Sequence, residues 1–225
     1  MNPQRTATKE GLLDSPANSP ASTRFDCKAM KTAASSIADQ TNVSLAEVLM
    51  ARRSCREFAT EPLNGREVSN LCWAAQGVTD RAAGFRTAPS AGALYPLTLF
   101  VVDGTGVFEY SPTRQTLTPR SHGDVRRSLQ DAAFDQPCVG DAPACLVIVM
   151  DLGISVGKYR ERAERYCLLE AGHVAQNVLL QATALGLGAV PVGAFDDDRV
   201  ADVLKLPNRF HPLYLIPVGH PSPHH

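Results

Sequence analysis

Along the chain, stretches whose apolar residues recur every three or four positions alternate with shorter stretches that are apolar throughout. The first kind argues for amphipathic helices and the second for buried strands. SLAEVLMARR, from Ser44, is helical by this test; after Asn64, the residues Val68, Leu71, Cys72 and Ala75 share one helical face until Gly77. Each stretch opens on a capping pair, Ser44 with Glu47 and Asn64 with Glu67, whose side chains satisfy amides that the first helical turn leaves free. Two helices are therefore predicted on either side of ARRSCREF. LTLFVV from Leu97, a DGTG turn and GVFEY from Gly106 predict a hairpin. Asp124 to Phe134 predicts a helix, and ACLVIVM from Ala144 a central strand. The longest helical pattern runs from about Arg160 to Leu185 and ends at the Gly186 and Gly188 pair. It sets Tyr166, Glu170, His173 and Asn177 on one stripe, with Leu168, Ala171, Ala175, Leu179 and Ala182 opposite. AVPVGAF from Ala189 predicts a strand, Asp196 to Asp198 cap a short helix to Leu206, and PLYLIPVG from Pro212 predicts the last strand. Helices mixed with about five strands predict an α+β fold, a sheet covered by helices. Residues 1–42, rich in Ser, Thr, Ala, Pro and Asn without periodicity, read as a flexible or loosely attached extension of a folded domain at 43–225.

Composition narrows the function. A chain of 225 residues suffices for one well-buried domain. Its 22 Lys and Arg against 23 Asp and Glu give no broad basic field, which argues against a nucleic-acid or membrane partner. Any anion must then be held by a local cluster. Cys145 to Met150, the longest apolar run, is too short to span a bilayer, and the N-terminus lacks a secretory apolar core. The six cysteines are scattered, with no C-x-x-C pair and no Cys/His quartet. That pattern predicts reduced thiols in a cytoplasmic protein and no metal site.

Four segments carry candidate chemistry. Arg52-Arg53-Ser54-Cys55-Arg56 gathers three guanidiniums at a helix end, suited to a phosphate dianion or, more blandly, to the negative pole of the helix. Thr87 to Pro96, with Pro89-Ser90-Ala91-Gly92 at its centre, is a turn of small residues between prolines, open to a flat ligand or simply tight. EAGHVAQN puts Glu170 and His173 on the polar stripe, where a mutual pairing inside a core or interface is the plainer expectation. Gly186 to Phe195 lets backbone crowd against a ligand or a neighbouring element. Rossmann, P-loop, nucleophile-elbow and zincin motifs do not occur.

These segments, in this order, resemble the FMN-dependent nitroreductase family, and PSAGALYP, KYRERAERY and EAGHVAQN resemble its SagB-type, azoline-oxidising branch. The likeness runs from about Ser44 to Gly219. It implies an intertwined homodimer with a central, mostly antiparallel sheet and two FMN sites, each built from both chains. It implies that Arg52 and Arg56 hold the FMN phosphate, with Arg53 and Ser54 along the ribityl chain and pyrimidine edge. Pro89, Ser90, Ala91 and Gly92 of the partner would lie against the ring, and Val192 and Gly193 would bring a backbone amide near flavin N5. Lys158 and Tyr159 match a Lys-Tyr pair linked in that branch to proton abstraction; a solvated Lys beside a packing Tyr is the alternative. The implied activity is hydride transfer through flavin N5, from a small-molecule or modified-peptide azoline. The alternatives are an NAD(P)H-dependent nitro or quinone reductase, and a flavin-binding or interaction protein without turnover. Relatives often place Asn where this chain has Ala93, and a basic residue after the last strand where it has His220.

Overall fold

Both capping boxes form. In the computed structural model, which describes residues 43–223, Ser44 Oγ accepts from Glu47 N–H at 3.2 Å while Glu47 Oε2 accepts from Ser44 N–H at 2.7 Å, opening α1 (Leu45–Ala51). Asn64 and Glu67 repeat the device ahead of α2 (Gly65–Gln76). A two-stranded ribbon follows, β1 (Val78–Asp80) against β2 (Phe85–Arg86). The main sheet comprises β3 (Leu97–Asp103), β4 (Gly106–Ser111), β5 (Thr116–His122), β6 (Ala144–Asp151), β7 (Gly188–Ala189) and β8 (Phe210–Gly219). Its order is β5-β4-β3-β6-β8-β7, antiparallel throughout. The proposed extension, residues 1–42, lies outside the described residues.

Strand β6 is apolar without alternation because both its faces are covered. Leu146 and Ile148 join Leu99, Val101, Leu71, Val174 and Val178 on the face packed by α2 and by α6 (Ala163–Ala184). Val147 and Val149 join Phe100, Val102, Leu129, Val200 and Leu204 on the face packed by α3 (Arg126–Ala132), α4 (Pro137–Asp141) and α7 (Asp197–Leu204). This is the expected α+β fold with a mostly antiparallel sheet. All five described cysteines are free and buried, and among the described residues no helix is long and apolar enough to cross a membrane.

Several expectations need correction. The main sheet has six strands, not about five, because the polar stretch TLTPRSH forms edge strand β5. Of the expected strand at 189–195 only Ala189 falls in a strand, the two-residue β7 that begins at Gly188: Pro191 has no N–H to give, and Val192 makes a single bridge to Leu215. Leu168, expected on the packed face of the long helix, is half exposed. A short helix, α5 (Leu152–Tyr159), precedes α6 and was concealed by two glycines.

The register assigns directions to the sheet. Leu97, at the start of β3, pairs with Met150 near the end of β6, whereas Ala144, at the start of β6, pairs with Val218 near the end of β8. The segments entering β3 and leaving β6 therefore gather at one end, and β7 sits at the other.

Candidate functional site

The arginine segment and the second glycine segment meet at the β7 end. Cys55 N–H donates to Ala189 O at 3.1 Å, and Ser54 bridges Ala189 in parallel. A Cβ on Gly188 would come 2.6 Å from Cys55 Sγ, so only glycine lets the two backbones approach this closely. Arg53 Nη1 donates to Met50 O at 3.0 Å and Arg52 O at 2.8 Å, committing that guanidinium to the end of α1. Arg52 is half-buried and Arg56 exposed beside a cavity of about 660 Å³ that Arg126 and Arg127 also line. Those two arginines pair with Asp124 and Asp141. Neither the Arg52 nor the Arg56 guanidinium forms a hydrogen bond or ion pair among the described residues, so both keep their side-chain donors for an outside anion. Val192 N–H is taken by Leu215 O at 2.7 Å, while the exposed Gly193 forms no such bond among the described residues. His220 stands 3.7 Å from Glu67 Oε1.

The second cluster lies at the opposite end. The turn Pro89–Gly92 precedes β3, and left-handed conformations recur at Gly92 (φ +62°), Ala93 (φ +54°) and Tyr95 (φ +51°). Such φ values are uncommon outside glycine and store strain. Ser90 Oγ accepts from Tyr95 N–H at 2.9 Å and fixes the turn. Above it stand the last two residues of α5: a Cβ on Gly92 would come 2.5 Å from both Lys158 Nζ and Tyr159 OH. Tyr159 packs edge to face on Tyr166, ring centroids 4.9 Å apart.

Between this turn and α6 lies a cavity of about 300 Å³ lined by Pro89, Ser90, Ala91, Tyr166, Leu169, Glu170 and His173. Glu170 is 3% exposed, and burial pushes its carboxyl up to about 7; Ser90, Arg86 and Gln76 oppose that shift only in part. Glu170 Oε1 and Gln76 Nε2 are left without a hydrogen bond. Arg86 completes the group, donating to Gln76 Oε1 at 2.7 Å and stacking over the Tyr95 ring at 4.4 Å. The expected pairing of Glu170 with His173 is therefore replaced: His173 is exposed, and Glu170 faces the turn. The sequence marked Glu170 as a buried polar group in need of partners, but Gln76, Arg86 and Tyr95 come from distant segments and carried no local signal.

The arginine segment and the turn hang from opposite ends of β6, while Val192, through Leu215, stands level with Val147 in its middle. Seven residue steps separate Ala144 from Asp151, about 24 Å at ~3.4 Å per residue.

Comparisons with known proteins agree with this architecture. The nitroreductase family model matches residues 49–220. A Methanocaldococcus jannaschii protein named as a nitroreductase is 43% identical over 187 residues, which is 80% of this chain and 93% of that protein. The Microcin B17-processing protein McbC of Escherichia coli is 30% identical over 160 residues, 65% of this chain but 58% of McbC, so the chain spans little more than half of that relative. A Bacillus subtilis FMN reductase (NADPH) is 25% identical over 190 residues, 78% of this chain and 65% of that protein. A crystal structure named as a nitroreductase of Ralstonia eutropha superposes with a TM-score of 0.77 at 28% identity, covering 96% of this chain and 97% of that one. The chain is an oxidoreductase-class protein of the nitroreductase family.

Proposed function

We propose that the chain is an FMN-dependent oxidoreductase that works as a homodimer and dehydrogenates azoline-like rings, in small molecules or in modified peptides. Arg52 and Arg56 would hold the phosphate, Arg53 and Ser54 would line the ribityl chain, and the Gly193 amide would face the ring edge. Pro89, Ser90, Ala91 and Gly92 of a second copy would close over the ring. Two features of the chain fit this group: guanidiniums with unused donors at the β7 end, and a backbone N–H of Gly193 that no neighbour takes. The arginine segment and the Pro89–Gly92 turn lie towards opposite ends of β6, a strand about 24 Å long at ~3.4 Å per residue, which favours a paired arrangement in which the turn comes from a second copy. Half-exposed Leu168 and Leu169 on α6 and exposed Leu45 and Met50 on α1 offer apolar surface to a second copy.

The observation that carries the reading is the convergence of Lys158 Nζ and Tyr159 OH on Gly92, in the turn that would meet the ring. Bound FMN would supply the two-electron acceptor, and dehydrogenation of an azoline to an azole would also release one ring proton that the chain's own residues must receive. In this reading Lys158 and Tyr159 receive that proton, which a pocket favours by bringing the base to its target. The likeness to McbC, named for microcin processing, supports the substrate class. The test is turnover of a thiazoline-bearing peptide by the wild type, K158M and Y159F, with flavin content measured alongside. Retained FMN with turnover lowered by about a hundredfold is expected, on the scale of a lost general base. Unchanged turnover would remove the pair from the chemistry, and a wild type that cannot be loaded with FMN would overturn the whole reading in favour of an interaction protein. A second reading, an NAD(P)H-dependent nitro or quinone reductase, is favoured by the likeness to the FMN reductase (NADPH) and would be seen as flavin bleaching by NAD(P)H alone.

A further inference from the structure

Beneath the Pro89–Gly92 turn lies a buried acid that the proposed chemistry does not use. Glu170 comes from the middle of α6, its side chain is sealed from solvent, and one carboxyl oxygen has no hydrogen-bond partner. It shares the wall of the 300 Å³ cavity with Ser90, the residue whose hydroxyl fixes the strained turn through Tyr95 N–H. A buried, half-satisfied polar group is costly, and an apolar residue would fill the same place without that cost. Holding the turn accounts for a carboxyl here.

We propose that Glu170 is a positioning residue: from its buried seat on α6 it holds Ser90, and through Ser90 the Pro89–Gly92 turn, in the posture that lets the turn meet the flavin ring beneath Lys158 and Tyr159. The proposal rests on the flavin reading above. The Ser90 hydroxyl, which accepts from Tyr95 N–H, still has its own proton to donate to the carboxyl, and that contact, like those of Arg86 and Gln76, favours the ionised form against burial. Burial, which raises the carboxyl to about 7, brings that titration within the pH range over which binding is measured. The titratable and charged groups around it are Arg86 from β2, which itself stands beside Tyr95 and Tyr110, and Tyr166, Cys167 and His173 from α6 itself. Lys158 and Tyr159 of α5 meet Gly92 of the same turn, and Tyr159 packs on Tyr166 at the cavity wall.

The experiment compares full-length wild type, E170Q, E170A, S90A, S90A/E170A and H173Q by FMN affinity from pH 5.5 to 9 and by thermal unfolding. E170Q, neutral at every pH, should bind FMN within about twofold of wild type at low pH and lose the wild type's weakening as pH falls through about 7. E170A should weaken binding about tenfold, the scale of one lost hydrogen bond, and adding S90A should weaken it no further. H173Q should keep the wild-type profile. Wild-type affinity in folded E170A, additive losses in S90A/E170A, or a pH profile abolished by H173Q and kept by E170Q would each overturn the proposal. A wild type that takes up no FMN would sink the flavin reading alone. The Ser90–Glu170 coupling would then be read from the same variants' Tm values, where strict additivity refutes it.

Discussion

Gly92 lies directly beneath Lys158: a Cβ in its place would come within 2.5 Å of the ammonium nitrogen, and its backbone is left-handed at φ +62°. Glycine suits the position for two separate reasons, its conformation and the room it leaves for those two side-chain ends. Exchange for alanine should cost about 1 kcal/mol from backbone conformation and displace both Lys158 and Tyr159. G92A is therefore expected to stay folded, with Tm lowered by a few degrees, and to lose most of its turnover. Full activity in folded G92A would show that the Lys-Tyr pair need not sit over the turn.

The arginine segment is predicted to depend on Gly188. Its Cβ position falls 2.6 Å from Cys55 Sγ and 2.7 Å from Cys55 Cβ, so G188A must push the Ser54–Ala189 bridge apart. Overpacking of this kind costs about 1–3 kcal/mol. FMN content should fall along with Tm, and the double variant G188A/C55G should recover part of both. Failure of that rescue would place the strain elsewhere.

Glu170 should also imprint the dependence of stability on pH. Its carboxyl titrates at about 7 when folded against an ordinary value of 4.5, so the native state binds the extra proton between those limits. Its contribution is present in full below about 4.5 and is lost as pH rises towards about 7, above which both states are ionised. Glu47 and Asp124, held low by Ser44 and Arg126, act in the opposite sense at lower pH. The difference in Tm between wild type and E170Q isolates the Glu170 share: wild type should decline relative to E170Q across that window and then level. A constant difference would mean that the carboxyl is not raised.

A site shared between copies can be reassembled from two broken parents. R52A/R56A should lose FMN through the phosphate end, and G92A should lose turnover through the turn, each in both sites of its own dimer. Mixed and reassociated in equal amounts, they should recover about a quarter of wild-type sites, since half the dimers are hybrid and each hybrid restores one site of two. Recovery of activity is measured after mild unfolding and refolding together. No recovery, with hybrids shown to form, would argue that each chain completes its own site.

What the sequence revealed was whatever depends on near neighbours. Ser44 with Glu47, Asn64 with Glu67 and the unbroken run at β6 announce their structure within a few residues. Strand β5 was hidden because an edge strand facing water carries few apolar residues, and TLTPRSH even includes a proline. The expected strand after Ala189 failed at Pro191, where backbone chemistry overrides an apolar pattern. The candidate residues were found by motif, yet their grouping was not legible: Cys55 against Ala189, Lys158 over Gly92 and Glu170 beside Ser90 join segments far apart in the chain, and no local pattern encodes such contacts.

Because one strand sealed on both faces carries a cluster at each end, β6 acts as a ruler for the spacing between them. Inserting or deleting a single residue there would swap its two apolar faces and slide one terminus by ~3.4 Å. Length changes should therefore be tolerated in connections outside the strand and not within it, while its side chains can be exchanged within the volume of the core.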